Sequence, residues 1–122
     1  MKKLNEKVLE AIEDLGWGVE EYNEEYMLEQ SSPAGEDIVE YIRKGEDVVS
    51  QVWDIYNSFD EDEHVEMWLQ AKQNGTAGVP SARELVEDAE EIKQMYYLLA
   101  LAVVAAVEES DKNGKPYTLY NL

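Results

Sequence analysis

The chain has 122 residues and no cysteine, and its 28 Asp and Glu against 10 Lys and Arg give a formal net charge of −18. Cysteine-ligated zinc, iron–sulfur clusters, thiol nucleophiles and disulfide scaffolds are thereby excluded. The length suits one domain, residues 1–122, around one core.

A chain this acidic is a poor ligand for nucleic-acid backbones or anionic membrane leaflets, which are polyanions themselves, so a charged partner should be basic. With 44 % hydrophobic residues the sequence has enough apolar side chains to fold. The opening MKKLNEKVLEAIEDLG is amphipathic and lacks the uninterrupted apolar run of a signal peptide. The longest apolar stretch, Met95 to Val107, is well short of the ~20 residues of a membrane span. The expectation is a cytoplasmic protein with no membrane partner.

In chain order, Leu4, Val8, Ala11, Ile12 and Leu15 recur at helical spacing, predicting a helix over 3–15 that stops at Gly16. Residues 17–30 change period. Trp17, Val19 and Glu21 alternate with their neighbours, as do Tyr26 and Leu28, predicting an acidic β-hairpin around Asn23-Glu24; a continuous helix over 20–30 is the competing reading. Ser31-Ser32-Pro33 resembles a helix start, and Ile38, Tyr41 and Ile42 at helical spacing predict a helix ending at Gly45. The next helix carries Val48, Val49, Val52, Trp53 and Tyr56, and a further one from Phe59-Asp60 to Asn74-Gly75 carries Val65, Trp68 and Leu69. After the loop GTAGVP, the capping box Ser81-Ala82-Arg83-Glu84 opens a helix reaching about Glu109. Its first half has Leu85, Val86, Ala89, Ile92, Met95 and Tyr96 on one face. Its second half is apolar all round and must be covered in the domain centre or by another subunit. The tail contains a turn at Asn113-Gly114 and a Tyr/Leu segment able to pair as a strand. The fold class expected is mainly α (α+β), a bundle of about five helices with a small accessory hairpin.

The acidity is uneven. Residues 60–91 hold ten acids against two bases, whereas residues 92–122 are balanced. Two clusters stand out, Asp60, Glu61, Asp62, Glu63 and Glu66 at one helix start and Glu84, Glu87, Asp88, Glu90 and Glu91 in the first turns of the next; Glu20, Glu21, Glu24 and Glu25 form a third on the hairpin. Acids at helix N-termini gain ~0.3–1 kcal/mol each from the dipole, but like charges four residues apart repel, so runs of this length exceed that need. Carboxylates on helical neighbours lie ~5–6 Å apart, the same order as successive phosphates of a nucleic-acid strand. A solvated face that maintains solubility is the plainer account of the same runs.

Catalytic patterns fail one by one. Glu61-x-x-His64 has the spacing of a carboxylate-bridged metal site, yet His64 is the sole histidine, and a surface histidine among acids is the better account. Asp60-x-Asp62 starts like a calcium loop, but Val65 and Ala71 occupy the positions of its glycine and its glutamate. The serines fall at capping positions without a G-x-S-x-G context, Gly16-Trp17-Gly18 and GTAG lack a phosphate-binding lysine, and no apolar pocket adjoins the acid runs. Neither enzyme activity nor a cofactor is expected. Trp53 and Trp68 fit helix cores, whereas Tyr22, Tyr26, Tyr117 and Tyr120 are either interface anchors or covers of core edges.

The block FDEDEHVEMWLQAKQNGTAGVPSARELVEDAEEI, with SPAGEDIVEYI upstream, resembles short acidic proteins of bacterial phages and other mobile elements. Some proteins of that kind are anti-restriction or anti-CRISPR inhibitors whose surface charge imitates DNA. The resemblance implies a DNA mimic that binds a basic nucleic-acid-binding protein and makes no direct contact with nucleic acid. It assigns no residue a role. The alternative is an oligomeric adaptor of a mobile element, a homodimer through Met95 to Val107, with acidity serving solubility alone. Adaptation to high internal salt is a third reading, weakened by 20 Glu against 8 Asp.

Overall fold

The computed structural model describes residues 3–75 and 81–112, with side chains to Ser110. Its elements run α1 (Glu6–Asp14), β1 (Gly18–Glu21), β2 (Glu25–Ser31), β3 (Asp37–Arg43), α2 (Val48–Ser58), α3 (Glu61–Gln73) and α4 (Ala82–Lys112). The class is α+β. Four helices among the described residues, rather than five, accompany a three-stranded antiparallel sheet in the order β1-β2-β3.

Asn5 caps α1, its side-chain oxygen accepting from the Lys7 N–H at 2.8 Å. After Gly16, which turns the chain at φ +96°, the strands β1 and β2 form the expected hairpin, closed where the Tyr22 N–H donates to the Glu25 carbonyl. The continuous helix over 20–30 is thereby excluded.

The predicted helix over 31–45 is instead strand β3, paired with β2 from Ser31↔Asp37 to Glu25↔Arg43. Ile38, Glu40 and Ile42 point inward, and Val39 and Tyr41 outward. A glutamate at an inward position and two apolar residues at outward ones make the sequence I-V-E-Y-I read as helical spacing. Ser32-Pro33 therefore lies in a loop that a hydrogen bond from the Gly35 N–H to the Ser32 carbonyl closes.

Asp47 caps α2 and Asp60 caps α3. The serine half of the α4 capping box forms as expected, with the Glu84 N–H donating to Ser81 Oγ; the glutamate carboxylate accepts from the serine hydroxyl and, among the described residues, from no backbone N–H. The helix runs 31 residues, about 46 Å, and the other three helices and the sheet's inner face collect around it. Ile92, Leu99, Ala100 and Val103 meet Leu4, Val8, Ile12, Leu28, Ile42, Val48 and Val52 in one core. Trp17 stacks on Tyr96 at 6.3 Å between centroids, and Lys93 donates to the Tyr56 and Phe59 carbonyls, closing the C-terminal end of α2. In the second half of α4, Leu98 and Leu101 stay exposed. No helix among the described residues is long and apolar enough to cross a membrane. The Asn113-Gly114 turn and the Tyr117 and Tyr120 segment lie outside the described residues, as do residues 76–80.

Candidate functional site

The two acidic clusters belong to consecutive helices, α3 and α4, and α3 packs back along the first turns of α4. Glu61, Asp62 and Glu66 of α3 and Glu90 of α4 consequently line one groove of about 250 Å³, floored by Val65, Leu69, Val86 and Ala89. Among the described residues none of these four carboxylates has a Lys, Arg or His within ion-pair distance. Glu63 lies in an adjoining groove with Asp60, His64, the exposed Met67 and Glu66, which borders both grooves, and Glu91 is exposed on α4.

The remaining acids of the two clusters have local duties. Asp60 accepts from the Glu63 N–H at 3.0 Å, Glu84 accepts from the Ser81 hydroxyl, and Glu87 pairs with Arg83 at 3.2 Å. Asp88 is a correction to the surface reading. It is 3 % exposed, and its carboxylate accepts from Ser32 Oγ at 2.9 Å and from the Ala34 N–H at 3.1 Å. Leu85 and Ile92, three residues before it and four after, are fully buried, so the helix turns Asp88 toward the core face.

Asp88 belongs to a network that spacing along the chain does not reveal. Glu36, in the β2–β3 loop, hydrogen-bonds Asp88 and lies 3.1 Å from His64 Nε2 through Oε2; its N–H donates to Ser32 Oγ. Burial, reinforced by Asp88, pushes the Glu36 carboxyl above its ordinary range against the opposing pull of His64. Burial pushes Asp88 the same way, but the Glu36 hydrogen bond together with the Ala34 N–H and the Ser32 hydroxyl outweighs it and holds Asp88 below its ordinary value. Of the two carboxyls, Glu36 is therefore the one whose proton is held more tightly. His64 is therefore no surface residue: it is largely buried, and its ring packs at 5.1 Å from Phe59. Ser32 is buried within the network and does not cap a helix. Among the described residues no three or more His, Asp or Glu side chains are arranged to hold a metal ion.

This network fixes α3. That helix has no fully buried residue, so its half-buried Val65, Trp68 and Leu69 and the His64–Glu36 contact set where its acids stand.

On the hairpin, Glu20 and Glu24 are exposed and Glu25 is half-buried. Glu21 pairs with Lys44 at 2.6 Å and Lys3 at 3.5 Å, which lowers its carboxyl below the ordinary value. The Lys44 side chain is 5 % exposed, with Nζ 5.2 Å from the Tyr26 ring centroid. Tyr26 is a buried core residue whose hydroxyl accepts from the Leu4 N–H, whereas Tyr22 is exposed. The hairpin cluster thus lies on the sheet, on elements apart from the groove. Comparison with protein families, curated proteins and solved structures finds no match.

Proposed function

We propose that the chain is a non-enzymatic inhibitor or regulator that presents its α3–α4 face to the basic cleft of a nucleic-acid-binding protein, in the manner of a DNA mimic directed at a bacterial defence nuclease. The observation that carries this reading is the convergence of Glu61, Asp62, Glu66 and Glu90 on one groove without a cationic partner among the described residues. Two helices hold these groups, so repulsion between them cannot be relieved by local disorder. A cationic cleft relieves it, with electrostatic steering and strong salt dependence as the consequence.

The test is retention of a basic nucleic-acid-binding protein from bacterial lysate on the immobilised chain, eluted by a salt gradient and by competing duplex DNA. A variant carrying Glu61→Lys, Asp62→Lys, Glu66→Lys and Glu90→Lys should keep its helical circular dichroism and lose the partner. Retention that survives both high salt and the four reversals removes the reading.

The exposed Leu98 and Leu101 on α4, with Tyr97 beside them, favour a second reading, a homodimer through Met95 to Val107. Sedimentation that shifts with concentration and is abolished by Leu98→Glu would support it. The two readings use different segments of α4, its first turns and its second half, and are separable by these variants.

A further inference from the structure

Among the described residues, the sheet has an open edge at β3. The hydrogen bonds from the Lys44 N–H to the Glu24 carbonyl and from the Ser32 N–H to the Glu36 carbonyl bracket the β2–β3 ladder. Antiparallel alternation then turns the backbone groups of Ile38, Glu40 and Ile42 toward β2 and those of Asp37, Val39, Tyr41 and Arg43 away from it. At Arg43 the slot of a fourth strand is filled by a side chain: the buried Gln51 accepts from the Arg43 N–H at 2.7 Å and donates to its carbonyl at 3.1 Å. Asp37, Val39 and Tyr41 have no such cover among the described residues. Val39 is 40 % exposed and Tyr41 47 %. Beside this edge lies a groove of about 380 Å³ between β3 and α2, lined by Glu40, Tyr41, Arg43, Asp54, Ile55 and Phe59, in which the Arg43 guanidinium is paired with Glu46 at 2.7 Å.

We infer that this edge and groove form a second docking site, distinct from the α3–α4 face, which takes an extended basic segment of a partner protein as a fourth β-strand. An unpaired strand edge flanked by a helix supplies the main-chain ladder, and the groove supplies alternate side-chain contacts. The side-chain preference follows from the two faces. On the inner side the incoming strand meets Glu40 and Asp54. Glu40 is half-buried, accepts from the Tyr96 hydroxyl at 2.7 Å, and has no cation within ion-pair distance among the described residues. Burial pushes its carboxyl above the ordinary range, a cost that a lysine or arginine beside it offsets. On the outer side the strand meets Val39 and Tyr41, so apolar residues belong there. The segment is therefore alternating, basic toward the core and apolar toward solvent. A second copy is disfavoured as occupant because it brings a net charge of −18 against −18.

The probe is an end-blocked alternating lysine–valine hexapeptide, titrated into the 15N-labelled full chain. Amide exchange at Val39 and Tyr41 should slow by about tenfold or more on binding, and the same peptide N-methylated at the residues whose N–H faces β3 should bind at least about tenfold more weakly at equal charge. Val39→Pro removes an outward donor and no ladder bond, so it should keep the native circular dichroism and thermal transition and lose the peptide. Reversing the four groove acids of α3 and α4 should leave peptide binding within about twofold, which separates this site from the proposed α3–α4 face. Equal binding of the methylated and unmethylated peptides reduces the effect to bulk charge and overturns the proposal. So does an absence of binding up to about 1 mM, or protection of Val39 and Tyr41 in a peptide-free dimer. If Val39→Pro fails to fold, the methylated pair and the exchange data decide alone.

Discussion

Replacing Asp88 by alanine separates the buried acid from its surface neighbours on α4. Its carboxylate satisfies two donors, the Ser32 hydroxyl and the Ala34 N–H, where Asp88 and Ser32 are both nearly inaccessible. An orphaned buried donor costs ~1–3 kcal/mol. The Ser32 hydroxyl falls within that range, and the Ala34 N–H, on an exposed residue that water can reach, falls at its low end. The expected loss is about 2–4 kcal/mol, a fall in Tm of roughly 6–16 °C for a domain of this size. Glu90→Ala and Glu91→Ala, one turn away on the same helix, should stay within about 0.5 kcal/mol. Asp88→Asn retains an acceptor oxygen and should lose about half as much as alanine. Urea unfolding at neutral pH, followed by tryptophan fluorescence, measures all four variants. The sign of the pH dependence is fixed as well. Because Asp88 is held below its ordinary 3.8, its stabilisation is complete above that pH and is lost as pH falls through the folded value; Asp88→Asn should erase that acid limb. An Asp88→Ala variant that loses less than about 1 kcal/mol, or a Glu90→Ala variant that loses as much, would refute the assignment of Asp88 to the interior.

Glu36 carries the opposite sign. Its carboxyl is raised above 4.5, so its contribution is complete below that pH and declines as pH rises through the folded value. Glu36→Gln should therefore gain on the parent progressively above pH 4.5 in parallel urea titrations, and superimposable pH profiles would contradict a raised Glu36 carboxyl. Gly16→Ala meets φ +96° and places a Cβ 2.5 Å from Gln30 Nε2, which donates to the Leu15 carbonyl; about 2–3 kcal/mol should be lost. Gly35→Ala, at φ +90° with nothing within 4 Å, bears the backbone cost alone, about 1 kcal/mol, so equal thermal shifts for the two alanines would count against the Gln30 contact. Lys93→Met removes the cation that closes α2 at the Tyr56 and Phe59 carbonyls, with an expected loss of about 1–2 kcal/mol; an unchanged melting temperature would show that those carbonyls need no partner.

The four helices were legible because their signals are local: Gly16 and Asn74-Gly75 as stops, the Ser81–Glu84 box, and apolar stripes at helical spacing. The β1–β2 hairpin was legible from its alternation. β3 was not, because the periodicity argument assumes that inward means apolar. Glu40 violates that assumption by placing a carboxylate where the Tyr96 hydroxyl, 56 residues away, can reach it. The candidate groove was half legible. The clustering of the acids is visible along the chain, whereas Glu61, Asp62 and Glu66 meeting Glu90 across two packed helices is a tertiary fact. For Asp88 a signal was present, since it falls three residues after Leu85 and four before Ile92, on the apolar side of the α4 stripe. Glu36 and His64 gave none, because their partners lie far along the chain.

A surface that imitates a charged strand must hold its carboxylates together against their own repulsion, and the two helices meet this need differently. α4 is anchored by Leu85, Ala89 and Ile92, all fully buried, so Glu90 stands on a helix that the core fixes. α3 has no buried residue and presents Glu61, Asp62 and Glu66 from a much weaker foundation. Asp62 and Glu66, four residues apart, repel by a few tenths of a kcal/mol, and Glu90 faces them across the groove. The Glu36–Asp88–His64 network supplies the missing anchor. It joins α3 to the β2–β3 loop and to α4 through side chains that touch none of the exposed groove acids. Its Asp88 carboxylate is held by the Ser32 hydroxyl and the Ala34 N–H, and its Glu36 carboxylate by His64, so the acids behind the groove are partnered while, among the described residues, those lining it are not. A buried acid with its own hydrogen-bond partners is thus what fixes the frame on which the remaining acids are crowded outside.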